Sequence, residues 1–240
     1  MEKRIEMVFF DLDGTLLPMD LDEFIQGYFG LLAVKAASRG YAPEPLIKTV
    51  WNGVNAMVAN DGGCRNEDAF WKVFTAAYGE KALRDKAMFD EFYAREFQQA
   101  RRFCGFDARA AETVAWVRQQ GFRVALATNP LYPAVATESR IRWAGLEPED
   151  FEFYTTYENI GWCKPNPDYY LEVLRRADLA PEACLMVGND VGEDMIAETL
   201  GMKVFLLTDC LINKAGADID RYPHGSFDAL RDHLLHCQSV

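Results

Sequence analysis

The sequence predicts an α/β fold, a doubly wound parallel sheet that carries an inserted bundle of helices. Strand and helix patterns alternate through the second half of the chain, which is typical of a parallel sheet with helices on both faces. An apolar strand near the N-terminus, Met7–Phe10, ends in two carboxylates, Asp11 and Asp13. Between these two regions, a stretch from about residue 20 to residue 103 has helical periodicity. These three observations predict a sheet domain and a separate helical domain.

The second half of the chain supplies the elements of the predicted sheet. Short apolar runs predict buried strands at 121–128, 184–188 and 202–207. Helical patterns, several of them bounded by Gly or Pro, predict helices at 108–120, 133–143, 167–177 and 193–200. Strands and helices therefore alternate, as successive parallel strands require.

The helical stretch after the first strand is predicted to be an inserted domain. Segments with helical period are 21–39, 45–58, 67–78 and 86–100, and they suit a small antiparallel bundle. Its aromatic residues are expected in the core of the bundle rather than against a ligand: Phe70, Trp71, Phe74, Phe89, Phe92 and Phe97. The predicted boundaries are 1–18 and 104–240 for the sheet domain and 19–103 for the bundle.

The composition is that of an ordinary globular protein, with 50% hydrophobic and 26% charged residues among 240. The formal net charge of -12 argues against a nucleic-acid or anionic-membrane surface, because both are negatively charged and would repel it. An anionic substrate therefore needs a local cation or a metal ion.

No apolar run reaches membrane-spanning length or forms a signal-peptide core, so we expect a cytoplasmic protein. No interface pattern decides between a monomer and a homodimer.

Polar residues follow the predicted strands at their carboxyl ends. They are Asp11 and Asp13 after the first strand, Thr128 and Asn129 after the second, Lys164 before a helix, and Asn189, Asp190 and Asp194 after the third. Each alone is explained as well by a helix cap, a turn or an exposed lysine. Because parallel strands end at one edge of a sheet, we expect these residues to converge. Acids, a hydroxyl and an amine gathered there predict a site for a phosphate and a metal ion.

The order of these motifs resembles the haloacid dehalogenase (HAD) superfamily. The run Asp11-Leu12-Asp13-Gly14-Thr15, then Thr128, then Lys164, then Gly188-Asn189-Asp190 with Asp194 is similar to the four ordered motifs of that family. The resemblance covers the whole chain, since the segment at about 20–103 looks like the family's type 1 cap. It implies a HAD-like, Rossmannoid core and a cap that closes over the site.

Roles argued from chemistry agree with what the resemblance implies. Asp11 is the predicted nucleophile, since a carboxylate can attack phosphorus and form an aspartyl-phosphate. Asp13 is expected to protonate the leaving alcohol and then to deprotonate the attacking water. Thr128, the backbone amide of Asn129 and the charge of Lys164 are expected to bind the phosphoryl oxygens. The predicted function is hydrolysis of a phosphomonoester of a small metabolite.

A metal ion is expected because carboxylates that face a phosphate would otherwise repel it. Oxygen-only ligands suit a hard ion such as Mg²⁺. The expected ligands are Asp11, the backbone carbonyl of Asp13, and Asp190. Asp194, four residues after Asp190, is expected either to ligate directly or to hold waters. The family often has an acid where this chain has Asn189, so the division of roles among these three residues stays open.

Other functions are weighed against the same residues. Asp13 disfavours dehalogenation, because the haloalkanoate dehalogenases of the family lack an acid at that position. A phosphomutase or phosphotransferase uses the same aspartyl-phosphate, and nothing in the cap excludes one. A phospho-acceptor signalling domain would place its phosphorylated Asp on a later strand. A non-catalytic protein that binds a phosphorylated ligand would keep the fold without the chemistry, but every polar residue that catalysis requires is present.

Substrate specificity is expected to lie in the cap. The loop Asn60–Asn66 is rich in turn-forming residues and is placed to reach the site. Its Arg65 is a candidate for binding an anionic part of the substrate; the alternative is a solvated connection between two helices. Trp162, two positions before Lys164, either lines the entrance or packs in the core or rim.

Overall fold

The computed structural model describes residues 4–238 of the chain. Its sheet consists of β1 (Met7–Phe10), β2 (Arg123–Leu126), β3 (Cys184–Gly188), β4 (Lys203–Leu207) and β5 (His224–Gly225). The strands are parallel and lie in the order β2-β1-β3-β4-β5. β1 therefore lies inside the sheet, with β2 on one side and β3 on the other. The predicted parallel sheet is confirmed.

Apolar layers cover both faces of the sheet, and β1 shows how. Val8 and Phe10 belong to one apolar cluster, whereas Met7 and Phe9 belong to another. The alternation arises because successive side chains of a strand point to opposite faces. A strand that is buried on both faces needs a continuous apolar run, and all four side chains are fully buried. The predicted doubly wound α/β architecture is therefore confirmed.

Residues 21–103 form a helical insertion between β1 and the remainder of the sheet domain. It contains α1 (Leu21–Ala37), α2 (Pro43–Val58), α3 (Asn66–Tyr78), α4 (Glu80–Ala94) and a 3₁₀ helix, Glu96–Phe103. The ring centroids of Phe74 and Phe89 lie 5.2 Å apart in an edge-to-face pair, and Phe92 and Phe97 are fully buried. Large aromatic rings supply much of the apolar area that holds these helices together.

The α-helices outside the insertion are α5 (Ala108–Gln119), α6 (Ala134–Trp143), α7 (Pro167–Ala177) and α8 (Phe227–Gln238). Val114 of α5 and Leu230 of α8 belong to the same apolar cluster as Val8. Val173 of α7 belongs to the cluster on the opposite face, with Met7. Within residues 4–238, none of the helices has both the length and the apolar character needed to cross a membrane.

The helix that the sequence predicts at 193–200 is absent in that form. A 3₁₀ helix covers Met195–Leu200 instead. Before it, one oxygen of the Asp190 carboxylate accepts hydrogen bonds from the backbone amides of Gly192 and Glu193, at 2.7 and 3.0 Å. The prediction of an α-helix is wrong because the chain makes a side-chain-capped turn where the helix was expected to begin.

The other differences are a shifted element boundary and one short strand that the sequence does not predict. The last helix of the insertion, predicted at 86–100, begins at Glu80 and ends at Ala94. It follows directly on Gly79, which has a φ of 59° and allows the chain to turn between two helices. The sequence does not predict β5, because its two residues, His224 and Gly225, form no apolar run.

Candidate active site

The residues predicted from the motifs meet at the carboxyl edge of the sheet. β1, β2 and β3 end at Phe10, Leu126 and Gly188, and polar residues follow each of them. One cleft between the sheet and the helical insertion is lined by Asp11, Asp13, Thr128, Asn129, Asn189, Asp190 and Asp194. Lys164 reaches this group from the turn before α7. The structure therefore brings together side chains that are up to 183 residues apart, from Asp11 to Asp194.

Asp11 follows β1, an interior strand of the sheet, and is held by its neighbours. Its backbone amide donates to the carbonyl of Val187 at 2.9 Å, which continues the pairing of β1 with β3. Lys164 Nζ donates to Asp11 Oδ1 at 2.9 Å, and Thr15 Oγ1 lies 3.1 Å from Asp11 Oδ2. Each carboxylate oxygen keeps lone-pair capacity for another partner. Asp11 is thus a fixed carboxylate with its remaining lone pairs available in the cleft.

Lys164 is a buried cation between two carboxylates. Its side chain is 1% exposed, and its Nζ lies 2.9 Å from Asp11 and 2.6 Å from Asp194. Burial opposes the charged form, but the charges of Asp11 and Asp194 outweigh it and hold the pKa of Lys164 well above its usual value. The ammonium group therefore keeps its positive charge at neutral pH. It gives this acidic protein a local cation at the place where an anion would bind.

Asp194 uses both of its carboxylate oxygens within the protein. Oδ1 accepts from Lys164 at 2.6 Å, and Oδ2 accepts from the backbone amide of Asp190 at 3.0 Å. Burial raises the pKa of Asp194 to about 6, although Lys164 acts in the opposite direction. Gly188 packs directly against this carboxylate, where a Cβ atom would overlap Oδ2. The contacts of Asp194 are those of a support for Lys164 and for the Asp190 turn.

Asn189 joins the loops after β1 and β3. Its Oδ1 lies 2.8 Å from Thr15 Oγ1, and its Nδ2 donates to the carbonyl of Cys210 at 2.7 Å. Gly14, with a φ of +83°, lies so close to this amide that a Cβ atom would overlap it. Within the described residues, the carboxylate of Asp190 accepts no hydrogen bond from a side chain, whereas that of Asp194 accepts one from Lys164. Asp190 Oδ1 accepts from two backbone amides of its own turn.

Asp13 contacts a residue that the sequence analysis did not identify, Arg140 of α6. The Arg140 side chain is fully buried, and its Nη1 donates to Asp13 Oδ2. The guanidinium group also lies 4.3 Å above the ring of Tyr132. Burial raises the pKa of Asp13, and the charge of Arg140 partly offsets this rise. Asp13 Oδ1 is buried and has no hydrogen-bond partner among the described residues.

The sequence contains a signal for Arg140. It occupies a position of α6 that is flanked by buried residues, with Ala136 one turn before and Ile141 directly after. An arginine on an apolar helix face requires an acidic partner or solvent. This signal is weak, because a basic residue in the last turn of a helix is ordinarily a surface group.

The backbone at Thr128 and Asn129, here called the Thr128 segment, is held by side chains of α7 and of the chain before it. The carbonyl of Thr128 accepts from Thr155 Oγ1 at 2.6 Å and from the hydroxyl of Tyr169 at 2.9 Å. The side-chain amide of Asn129 donates to Glu193 Oε2 at 3.0 Å. Glu193, also missed from the sequence, lines the cleft, and burial raises its pKa to about 7. The segment and Glu193 together form one wall of the site.

Arg65 does not take the position that the sequence suggested. It is exposed and does not line the cleft. The loop that carries it is hydrogen-bonded to the segment before Lys164, where the Gly62 amide donates to the Gly161 carbonyl at 3.1 Å. Trp162 packs over Gly62 and is likewise absent from the cleft lining. The loop therefore joins the insertion to the sheet domain, and Arg65 is not among the residues that line the cleft. Its expected role in substrate binding stays a prediction.

Several aromatic residues expected only in the bundle core also line the cleft. Phe70, Trp71, Phe74 and Phe89 border a cavity of about 190 Å³ that extends from Asp11 into the helical insertion. Phe74 and Phe89 are nevertheless buried, and all four belong to or pack against one apolar cluster. The rings therefore pack within the insertion on one side and border the cleft on the other.

The comparison with known proteins identifies the family of this chain. Residues 5–197 match the family of haloacid dehalogenase-like hydrolases. The chain belongs to this family. It is 25% identical to a glyceraldehyde 3-phosphate phosphatase of Methanothermobacter thermautotrophicus, over 90% of this chain and 94% of that protein. It is 28% identical to the pyrophosphatase PpaX of Bacillus anthracis, over 97% of this chain and 96% of that protein.

Among solved structures, this haloacid dehalogenase-like hydrolase is similar to a 2-haloacid dehalogenase from Pseudomonas syringae. The TM-score is 0.66 at 21% identity, with 97% of this chain and 99% of the other covered. At this identity the likeness concerns the fold. It extends over the helical insertion as well as the sheet domain, because nearly the whole of both chains is superposed.

The residues of this haloacid dehalogenase-like hydrolase fit a hard divalent cation. The available donors, Asp11 and Asp190, are carboxylates that line the same cleft, and oxygen donors are the ligands of Mg²⁺. Within residues 4–238 there is no group of three or more His, Cys, Asp or Glu side chains placed to hold a metal ion. An ion here would therefore be held by two carboxylates and completed by other oxygen donors such as water, a set that suits a hard divalent cation.

Proposed function

We propose that the protein hydrolyses a phosphomonoester of a small metabolite through an aspartyl-phosphate on Asp11. The observation that carries the proposal is the fixed Asp11 carboxylate at the end of the interior strand β1, 2.9 Å from the buried ammonium of Lys164. A carboxylate that is held at a strand end beside a permanent cation is arranged to meet a phosphoryl group. The phosphatase names of the relatives support the same class of reaction.

Asp11 would attack phosphorus and displace the alcohol, and water would then cleave the acyl phosphate. Lys164 would offset negative charge on the phosphoryl oxygens, with the Thr128 hydroxyl and the Asn129 backbone amide as additional donors. Because Lys164 is held by two carboxylates, its position does not depend on the substrate. Asp194 contributes through Lys164 rather than by contact with the phosphoryl group.

Asp13 would serve as general acid toward the leaving alcohol and as general base toward water. Burial raises its pKa, so the carboxyl retains a proton to higher pH than an exposed aspartate does. Its Oδ1 makes no hydrogen bond within the described residues and is free to exchange a proton. Arg140 holds Oδ2, so the orientation of the carboxyl group is fixed while its other oxygen reacts.

The proposed cofactor is Mg²⁺, held by Asp11, Asp190 and the backbone carbonyl of Asp13. When bound, the ion would neutralise charge on the phosphoryl oxygens and on the two carboxylates. Asp190 is suited to the role because two backbone amides fix one of its oxygens. Asp194 is proposed to stay outside the metal shell, because both of its oxygens already accept hydrogen bonds.

The test is phosphate release from a panel of small phosphomonoesters, measured with Mg²⁺ and with EDTA. Release should require the metal and should fall by at least about 10³-fold in Asp11→Asn, because the covalent route is lost. Asp232→Asn, at an exposed position of α8, is the matched control and should behave as the wild type. Near-normal release by folded Asp11→Asn would contradict the proposal.

A further inference from the structure

The cleft beside Asp11 is apolar over most of its extent. From the carboxylates at the sheet edge it extends into the helical insertion, where Phe70, Trp71, Phe74 and Phe89 border it on the side of α3 and α4. Ile25 and Val54 border it on the side of α1 and α2. A group that is attached to a phosphoryl at Asp11 would therefore lie among rings and aliphatic side chains.

Cationic groups are scarce in the cleft. Among the described residues that line it, Lys214 is the only cation, and it is exposed in the chain between β4 and β5. The nearby cations Lys164 and Arg140 are paired with Asp11, Asp194 and Asp13. A second phosphoryl or a carboxylate on the substrate would therefore be desolvated in the cleft without a buried partner, which is strongly unfavourable.

The acidic residues make this unfavourable effect larger. Asp90 and Glu193 also line the cleft, in addition to the carboxylates of the catalytic group. A substrate with one phosphoryl group can place its negative charge beside Lys164. A second anionic group on the same substrate would approach these carboxylates, and like charges repel each other.

Among the neutral polar side chains that line the cleft is a pair of tyrosines between the helices of the insertion. The hydroxyls of Tyr28 and Tyr93 lie 2.9 Å apart and form a hydrogen bond with each other. Burial raises the pKa of Tyr28 well above its usual value and that of Tyr93 to about 12, so both phenols are uncharged at neutral pH. One donates to the other, which leaves one phenol proton for a ligand. This group suits an uncharged oxygen rather than an anion.

The size of the cavity indicates the size of the group. Its volume is about 190 Å³, whereas an apolar cavity of about 150 Å³ in a protein accommodates benzene. This volume is that of the whole cleft, from Asp11 into the helical insertion, so its apolar part has room for a group no larger than about one ring.

We infer that the cleft binds the apolar, ring-sized alcohol part of a phosphomonoester that has no second anionic group. The inference rests on the proposed function and specifies the class of substrate for that same site. It implies that compact substrates with two anionic ends, such as phosphoglycolate and pyrophosphate, are poor substrates. The apolar lining of the cavity, the shortage of cations and the neutral tyrosine pair all support this class of substrate.

The experiment compares kcat/KM for benzyl phosphate, phosphoglycolate and pyrophosphate in the presence of Mg²⁺, with acetyl phosphate as a small, activated reference. The first two have unactivated alkyl leaving groups, so their comparison reports on the cleft rather than on the chemistry. We expect kcat/KM for benzyl phosphate to exceed that for phosphoglycolate and for pyrophosphate by at least tenfold. A preference for either doubly anionic compound would overturn the inference.

Two variants on one helix test the cavity itself. Val54→Trp fills the cleft from α2, whereas Val58→Trp places the same ring at a position of α2 that is 44% exposed and outside the cleft. The ratio of kcat/KM for benzyl phosphate to that for acetyl phosphate should fall at least tenfold in Val54→Trp. It should be that of the wild type in Val58→Trp. An equal ratio in both variants, with melting curves that show both to be folded, would overturn the inference.

Acetyl phosphate separates the inference from the proposed function. If no substrate, including acetyl phosphate, releases phosphate above the level of Asp11→Asn, the proposed function is wrong and the inference is overturned with it. If acetyl phosphate is hydrolysed but benzyl phosphate is not preferred over phosphoglycolate, the proposed function holds and the assignment of the cleft alone is wrong.

Discussion

At the scale of single residues, the pair of Asp13 and Arg140 sets the protonation of the site. Arg140 is fully buried, whereas the Asp13 side chain is 20% exposed and faces the cleft. Burial favours the neutral carboxyl and the guanidinium favours the carboxylate, with burial the larger effect. In the proposed mechanism Arg140 is therefore a positioning residue, which would act on the substrate through Asp13.

Replacing Arg140 by Met should move the pH profile of activity. Because the charge of Arg140 lowers the pKa of Asp13, its loss raises that pKa further. The protonated acid then persists to higher pH, and the alkaline limb of kcat/KM should move upward. Loss of one partner of a buried pair also costs roughly 3–5 kcal/mol of folding stability, an upper bound for this partly exposed pair. Profiles of kcat/KM against pH, together with thermal melting, measure both effects.

Two further variants distinguish positioning from a purely structural role. Arg140→Lys retains a positive charge and should restore the position of the alkaline limb in part. Arg142→Met removes a half-exposed arginine from the same helix and should leave the limb where it is. An unmoved limb in folded Arg140→Met would contradict the role given to Arg140.

The residues of the site differ in how well the sequence predicts them. Asp11, Lys164 and Asp190 are predicted to converge because each stands at a strand end or before a helix in a recognisable order, and the structure brings them to one cleft. Arg140 and Glu193 lie outside the ordered motifs. Their place in the site depends on which face of a helix or turn meets Asp13 and Asn129, and that depends on tertiary packing.

At the scale of elements, the carboxyl end of β3 is shaped by the absence of a side chain. Gly188 ends the strand, and a Cβ atom there would overlap the carboxylate of Asp194. Asp194 in turn holds Lys164 and the backbone amide of Asp190. One glycine thus allows the strand end, the buried ion pair and the following turn to fit together.

Gly188→Ala should therefore impair both stability and catalysis. The added methyl group must displace Asp194, and overpacking of this kind costs about 1–3 kcal/mol. Activity should fall because Lys164 loses one of its two partners. Gly30→Ala is the control, since Gly30 lies within α1 with nothing close to an added Cβ atom. That variant should gain about 0.5–1 kcal/mol. Wild-type activity and melting temperature in Gly188→Ala would refute this account of the strand end.

The same strand end explains why one element was predicted wrongly. The polar run after β3 has the period of a helix, but the Asp190 carboxylate accepts the backbone amides that would start it. Asp and Asn compete with helix formation in this way when they cap their own turn. The strands were easier to predict, since β1, β3 and β4 are apolar runs buried in the sheet.

At the scale of the whole molecule, an anionic protein carries the proposed site for an anionic substrate. The net charge is -12, and buried carboxylates gather at the cleft. Burial raises the pKa of Asp13, of Asp194 to about 6, and of Glu193 to about 7. Ionising these groups in the folded protein costs free energy, which the ammonium of Lys164 offsets in part. Folding stability without a metal ion is therefore expected to depend on their protonation.

Glu193 gives a direct test of this dependence. Burial raises its folded pKa to about 7, above the usual value of a glutamate. Between these two values the folded state binds more protons than the unfolded state, so the free energy of unfolding falls as pH rises. Glu193→Gln is uncharged throughout. In EDTA, its melting temperature relative to the wild type should rise from pH 5 to pH 7. The rise should be about 2–4 °C for each kcal/mol of ionisation cost that the substitution removes.

The comparison with wild type is needed because other groups titrate in the same range. Burial lowers the pKa of His233, so its contribution to stability changes with pH in the opposite sense. Glu112→Gln, at an exposed position of α5, removes one carboxylate without touching the cleft and should follow the wild type at both pH values. If the difference in melting temperature between Glu193→Gln and wild type did not change with pH, the raised pKa of Glu193 would be contradicted.

The central claim is that Asp11 becomes covalently phosphorylated during turnover. The most direct measurement is a rapid acid quench of the enzyme with excess substrate and Mg²⁺, followed by borohydride reduction, which converts an aspartyl-phosphate to homoserine. We predict homoserine at position 11 in the tryptic peptide Ile5–Lys35, and none when substrate is omitted. Phosphate release with an unmodified Asp11, or with the modification at a different residue, would contradict the account.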